Sequence, residues 1–296
     1  MKPRDLFELI SLAALWGASF LFMRVGAGQF GAVALAALRV AGAAAVLIPL
    51  VVYRHELGAL RRHWKPILIL GITNSVIPFL GFAYAMLTIS AGLGSIFNAA
   101  SPLFAAVIAW WWLNDRLTTS RTIGLLIGFA GVIGLVVSKS GIGSGSGGGS
   151  TLLAVLACIV AASAYGFSAN FTKRFLVGVP PMAVAAGSQL GATLVLALPA
   201  VLFWPAVTPG LAAWAGLAAL AVFCTGLAYV IFFRLIANVG PANAITVTFL
   251  IPAFAVGWGA MFLGEQITPE MLIGCAVILF GTALAVGVLK PAVLAR

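Results

Sequence analysis

The sequence predicts an all-α membrane protein: ten transmembrane helices in a 5+5 inverted repeat, with the N- and C-termini cytoplasmic. Three observations lead there. The first is composition, 63% hydrophobic and 7% charged with a mean hydropathy of +1.17, where a soluble domain carries about 25% charged residues. Such a chain cannot cover itself in water. The second is run length. Apolar stretches of about 20 residues, enough to cross a bilayer as a helix, recur from end to end, and they are unbroken rather than alternating, which favours helices over a lipid-facing barrel. The third is repetition. At an offset of 150, Pro102 falls on Pro252, Asp115 on Glu265, Leu117 on Ile267, Thr118 on Thr268, Gly124 on Gly274 and Gly131 on Gly281, so the chain is built from two halves.

The first span, Leu6–Gly28, is too long for the apolar core of a cleavable signal peptide and carries Trp16, Gly17, Ser19, Phe22 and Arg24. The sixth, Leu152–Phe175, repeats them at an offset of 149 as Tyr165, Gly166, Ser168, Phe171 and Lys173. The second and seventh, Ala32–Tyr53 and Met182–Phe203, match at 150, Arg39 with Gln189 and Pro49 with Pro199. The third and eighth, Pro66–Leu87 and Leu211–Ile236, share a GxAY signature at an offset of 145, which sets Gly81 against Gly226 and Tyr84 against Tyr229. The fourth and ninth, Ala91–Leu113 and Ala242–Leu263, hold Pro102 and Pro252. The fifth and tenth, Thr122–Ser138 and Met271–Leu289, follow the turns LNDRLT and LGEQIT.

Five spans per half is an odd number, so the second copy must run opposite to the first, related by an axis in the membrane plane. This divides the chain into residues 1–139, a linker at 140–150, and 151–296. The linker, SGIGSGSGGGS, has the glycines of a phosphate loop but no following Lys-Ser/Thr, and reads as a flexible outer connector. With the N-terminus inside, Lys2, Arg4, Arg54, Arg61, Arg62, Lys65, Arg116, Arg121, Lys173, Arg174, Arg234, Lys290 and Arg296 are all cytoplasmic, leaving of the 16 basic residues only Lys139 outside and Arg24 and Arg39 in spans. The net charge of +10 is then an inner surface facing the lipid bilayer, with no nucleic-acid partner.

The WGxSF-like stretch of the first span, Pro102 in the fourth, and the two turns ahead of Gly124 and Gly274 resemble the EamA-type drug/metabolite transporter superfamily, over about residues 6 to 289. The resemblance implies a ten-helix carrier that moves small metabolites by alternating access. Within that superfamily the chain looks most like the bacterial aromatic amino-acid exporters, which implies a bacterial inner (plasma) membrane and an amino-acid substrate. Asp115 stands where the family pattern favours Glu, and the linker is unusually rich in glycine; neither disturbs the spans.

Polar side chains within spans are costly unless they face the bundle interior or a wet cavity, and each proline frees the carbonyl four residues earlier. Pro78 frees Asn74, Pro102 frees Asn98 and Pro252 frees Thr248, all three with polar side chains of their own. A kink that merely improves packing is the competing reading of each. Trp16, Ser19, Phe20 and Met23 form one stripe of the first span; Tyr165, Ser168 and Thr172 form another on the sixth. Mixed aromatic and hydroxyl stripes suit an amphipathic ligand, although Gly17 and Gly166 equally suit close helix packing. Gly94, Asn98 and Ser101 share a face of the fourth span. The expected substrate-binding set is Trp16, Ser19, Asn74, Pro78, Tyr84, Asn98, Ser101, Tyr165, Ser168 and Thr248, with Tyr84 and Trp258 the weaker candidates. Arg39 either pairs a substrate carboxylate or hydrogen-bonds helix ends and closes the outer side. Arg24 snorkels, and Asp115 and Glu265 cap helix starts.

No acid lies mid-span, which disfavours proton-coupled export of cationic drugs. No pair of Lys or Arg is expected to point into the core, which disfavours phosphorylated sugars. The expected pocket therefore carries no fixed charge and takes a net-neutral substrate by facilitated export; a proton-coupled multidrug or other metabolite exporter of the same superfamily is the first rival, and a polar-lined channel the second. His55 and His63 share a basic loop without a metal constellation. Cys158, Cys224 and Cys275 are isolated packing residues. No nucleophile–base pair, metal or cofactor is expected, and the protein should be a monomer or weak dimer.

Overall fold

The structure, a computed structural model, describes residues 2–140 and 149–289, and the described residues form helices and turns without a strand. The first helix, α1 (Pro3–Tyr53), has 51 residues. At about 1.5 Å per residue that is far longer than the ~30 Å hydrocarbon core. Its helical geometry breaks at Gly31, where φ is 73° and ψ 163°, a conformation open to a residue without a Cβ. The break falls between the ends expected for the first two spans. Next come α2 (Leu57–Arg62) and α3 (Trp64–Ala85). The expected fourth span is two pieces, α4 (Ala91–Asn98) and α5 (Ser101–Leu113), and α6 (Thr119–Ser140) ends the first half.

The second half holds α7 (Gly149–Phe175), α8 (Pro181–Leu202), α9 (Leu211–Val239), α10 (Pro241–Ala244), α11 (Val247–Leu263) and α12 (Pro269–Val286). Of the expected 140–150 linker, residues 141–148 lie outside the described residues, while Ser140 ends α6 and Gly149 and Ser150 open α7. Counting α1 once and α4–α5 together, eight helical segments among the described residues are long and apolar enough to cross a bilayer, and α11 is a shorter apolar helix.

Both α3 and α9 contain a π-helical turn, at Ile72–Val76 and Val222–Leu227. The two begin 150 positions apart. Such turns leave backbone groups short of their usual partners, and the Thr225 hydroxyl takes one up by donating to Leu220 O at 2.8 Å.

Contacts recur at the same offset. Arg39 Nε donates to Thr225 Oγ1 at 3.0 Å, and Gln189 Nε2 donates to Ser75 Oγ at 2.8 Å. Those are the same two positions with the halves exchanged. Likewise a Cβ on Gly17 would lie 3.0 Å from the nitrogen of Ala255, and one on Gly166 would lie 2.6 Å from that of Ala105. Small residues at these crossings let α1 meet α11 and α7 meet α5, the contact that drives association where lipid removes the hydrophobic effect. α6 and α12 pair with each other along the side of the bundle. The main core lies where α1, α3, α4–α5 and α7 converge, around Phe30, Phe82, Phe97 and Leu103. Large apolar side chains such as Leu126, Leu194 and Leu198 point outward, as on a surface that faces lipid.

Candidate functional site

The helix breaks surround one cavity of about 490 Å³, in the range of small-ligand sites. α1 contributes Trp16, Ser19 and Met23; α4–α5 contribute Asn98, Ser101 and Pro102; α7 contributes Tyr165. Asn74 enters from the π turn of α3 and Thr248 from the first turn of α11. Seven of the expected site residues thus share one space, since Trp16, Ser19, Asn74, Asn98, Ser101, Tyr165 and Thr248 all line it.

Pro78, Tyr84 and Ser168 are not brought into it. Pro78 is buried within α3. Ser168 is buried and donates to Thr73 Oγ1 at 2.9 Å, tying α7 to α3. Tyr84 is exposed on the outside of the bundle. The π turns show why: they align α3 with α9 at 150, not at the 145 of the GxAY signature, so the position facing Tyr229 is Phe79. Both Phe79 and Tyr229 line the cavity.

The freed-carbonyl argument needs a correction as well. Asn98 O is not left free by Pro102, since it accepts from the Ser101 hydroxyl at 2.7 Å. The Thr248 hydroxyl donates to Ile245 O at 2.8 Å, and Asn74 Nδ2 donates to Tyr229 Oη at 3.2 Å. Among the described residues, the Asn98 amide and the Tyr165 hydroxyl have no protein partner and face the cavity. Aromatic rings form its apolar wall: Phe20 meets Phe82 edge-on at 5.4 Å, Phe82 stacks with Tyr165 at 6.2 Å, and Trp16 meets Phe232 at 5.2 Å.

The expectation of a pocket free of fixed charge is overturned. Arg39 lines the cavity, 6% exposed, and so does Arg121 at one end, while no Asp or Glu is among the lining residues described. Arg39 does not bond helix ends. Its Nε donates to Thr225 Oγ1, its Nη1 to Met23 Sδ at 3.3 Å, and its guanidinium lies 3.7 Å from the centre of the Phe79 ring. Sequence reasoning also passed over Asn170, whose amide donates to Ala105 O at 2.8 Å and Gly166 O at 2.9 Å. The repeat offers no signal for it, because its counterpart at the offset of 149 is Leu21.

The two ends of the cavity differ. At one, Glu265 accepts from the backbone nitrogens of Ala91 at 2.9 Å and Gly92 at 3.4 Å, capping α4 rather than its own helix. Arg24 does not snorkel there; its Nε lies 3.9 Å from Glu265, and its guanidinium donates to the Met86 carbonyl. α4 packs on α11 at this end. At the other, the repeat-related pair, Lys173 Nζ and Asp115 Oδ2 at 2.9 Å, is exposed, with side chains 62% and 43% accessible against 35% and 15% for Arg24 and Glu265. Asp115 thus pairs with a lysine instead of capping, and among the described residues no packing as extensive as that of α4 on α11 joins α5 to α10. Ala109, Arg121 and Val286 line the cavity at this looser end. Trp258 stands apart from the cavity, its Nε1 donating to Ala14 O at 3.2 Å across the α1–α11 contact.

Among known proteins, the chain is 24% identical over 280 residues to the uncharacterized transporter YoaV of Bacillus subtilis, covering 92% of this chain and 93% of that one. It is 25% identical over 285 residues to the uncharacterized inner membrane transporter YedA of Escherichia coli, covering 93% and 88%. A probable terminal-alkyne amino-acid exporter of Streptantibioticus cattleyicolor is 24% identical over 286 residues, covering 95% and 93%. A solved crystal structure superposes with a TM-score of 0.67 at 21% identity, covering 100% of this chain and 99% of that one, which shows a shared fold. The model of the EamA-like transporter family matches twice, over residues 6–137 and 152–287. With both halves matched, and a helical bundle whose apolar outer surface encloses a cavity of largely apolar walls carrying a few polar groups, the chain is a multi-pass membrane transporter and belongs to the EamA-like transporter family.

Proposed function

We propose that this transporter exports small net-neutral metabolites, aromatic and other apolar amino acids foremost, across a bacterial inner membrane by alternating access, as a monomer or weak dimer. The observation that carries the reading is the unequal closure of the cavity: one end is latched by Glu265 on α4, and the other is lined by open, exposed groups. A carrier caught between turnovers has this form, whereas the rival reading, a polar-lined channel, calls for access from both ends. The recurrence of Arg39–Thr225 as Gln189–Ser75 supports a 5+5 inverted repeat, which supplies a second conformation by exchanging the roles of the halves. Counting α1 as two crossings on either side of Gly31, and α10–α11 as one, yields ten.

Arg54, Arg116, Lys173 and Arg234 belong to loops and helix ends that the basic-residue rule assigns to the cytoplasm, together with both termini. Asp115 and Lys173 mark that end in space, so the open mouth would face inward, where an exporter loads. The aromatic walls suit an apolar side chain, and the Asn98 amide and Tyr165 hydroxyl suit its polar end. No acid lines the cavity among the described residues, which favours facilitated movement over proton coupling. The name of the Streptantibioticus relative points the same way. The test is uptake of labelled phenylalanine into vesicles of purified protein, with and without a pH gradient. Saturable uptake stimulated by unlabelled substrate on the far side is expected; flux that neither saturates nor shows such exchange would establish the channel instead.

A further inference from the structure

Arg39 carries a charge that its packing role does not use. Its Nε bonds Thr225 across the bundle, and the repeat-related contact is made by a neutral amide, Gln189 Nε2 to Ser75. An amide therefore suffices to pin a helix to a π turn. Burying a guanidinium costs far more than burying an amide unless the charge is paired. Yet the partners of Arg39 are a hydroxyl, a thioether and an aromatic ring, and no carboxylate lies within ion-pair distance of it among the described residues. Of its five N–H donors, those on Nη2 have no protein acceptor there.

We propose that the missing partner is the substrate's carboxylate, and that the cavity is a site for apolar or aromatic monocarboxylates in which an α-ammonium is tolerated but not required. The inference rests on the carrier reading above and shifts its substrate class from net-neutral to anionic, with amino acids retained as ligands held through their carboxylate. Arg121 at the mouth adds a second positive charge and no Asp or Glu among the described lining residues offsets either, so the field along the path attracts anions. An ammonium entering alone meets two cations and only neutral acceptors, such as the Asn98 amide. An apolar body meets the Phe79, Phe82 and Phe232 rings. The guanidinium fork is the side chain best shaped for a carboxylate.

Three probes of one shape separate the charges: 3-phenylpropionate (carboxylate only), L-phenylalanine (both) and phenethylamine (ammonium only). Calorimetric binding to the purified full-length transporter is measured for each, alongside inhibition of labelled phenylalanine uptake. Phenylpropionate is expected to bind at least as tightly as phenylalanine, and phenethylamine at least about tenfold more weakly, the loss of one charge-assisted hydrogen bond. Arg39→Gln, which installs the residue the other half already uses, should weaken phenylpropionate binding at least about tenfold while thermal stability is retained. Equal binding of phenethylamine, or no binding of phenylpropionate, overturns the proposal, even if Arg39→Gln fails to fold. Unchanged phenylpropionate affinity in a folded Arg39→Gln does the same. Phenylalanine uptake without phenylpropionate binding removes the anion site and leaves the carrier. Phenylpropionate binding that depends on Arg39, with no uptake or exchange of either compound, leaves the anion site and removes the carrier.

Discussion

Replacing Glu265 with Gln should unlatch the closed end of the cavity. The Glu265 carboxylate accepts from Ala91 N at 2.9 Å and Gly92 N at 3.4 Å and lies 3.9 Å from Arg24, with its side chain only 15% exposed. Hydrogen bonds to a charged group contribute about 1.5–3 kcal/mol, and neutral ones about 0.5–1.5. A carboxylate at a helix start adds about 0.3–1 kcal/mol. Glutamine keeps an oxygen for the shorter bond, at neutral strength, and loses the charge that serves the helix end and Arg24. The net loss is about 1.5–3 kcal/mol, and at about 1.4 kcal/mol per factor of ten the open-to-closed ratio at that end rises roughly 10- to 150-fold. The assay uses Ala106→Cys, which lines the cavity, in a chain with Cys158, Cys224 and Cys275 changed to Ala. A membrane-impermeant maleimide is supplied from the latched face. Labelling should accelerate at least about tenfold. Lys173→Ala is the control: its pair with Asp115 is exposed and contributes about 0–1 kcal/mol, so labelling from either face should change little. Equal labelling of Glu265→Gln and the parent would refute the latch.

Gly166→Leu should weaken the bundle by about 1–3 kcal/mol or more, because even a Cβ there would meet Ala105 N at 2.6 Å; heating followed by size-exclusion chromatography would register a lower midpoint. Asn98→Ala or Tyr165→Ala should reduce phenylalanine uptake at unchanged protein yield, with apparent affinity falling about 2- to 12-fold for a lost neutral hydrogen bond; transport equal to the parent removes that residue from the site. Trp258→Phe deletes the bond to Ala14 O and should cost about 0.5–1.5 kcal/mol of thermal stability with KM unaltered, since Trp258 does not line the cavity.

What was legible in the chain depended on the range over which each signal acts. Span lengths are set by bilayer thickness, so apolar helices lie along the runs that hydropathy marks, although the fourth and ninth runs each divide into two pieces, and the break in α1 falls at Gly31, inside the short gap between two apolar runs. Stripes at helical spacing were equally legible, because Trp16 and Ser19 turn together once α1 faces inward. Register between helices was not. The GxAY signature set Tyr84 against Tyr229, while the π turns set Phe79 there, and a π turn leaves no mark in residue pattern alone. Nor can one helix report where its polar residue points. Arg39 was visible as a lone cation in a span, but its place on the cavity depended on the rotation of α1 against α9. Asn98 failed locally instead: Pro102 freed its carbonyl, and the hydroxyl of Ser101 reached back and took it.

The departures from the repeat are more informative than the repeat itself. A pair of identical halves would give two conformations of equal energy and a cavity whose field is the same seen from either end. Here the halves share their pins and differ in charge and reach. Arg39 stands opposite Gln189 in the repeat, so a buried cation lies on the cavity where the other half carries a neutral amide. Glu265 stands opposite Asp115, one methylene shorter; the longer acid caps a helix of the other half, and the shorter one pairs with a lysine in the open. On the proposal above, the first difference selects what binds, because a ligand with an anionic end satisfies the buried guanidinium. The second selects when, because it stabilises closure at one end over closure at the other. In the carrier proposed above, symmetry supplies the two states, and these two broken correspondences give the cycle its cargo and its direction of rest.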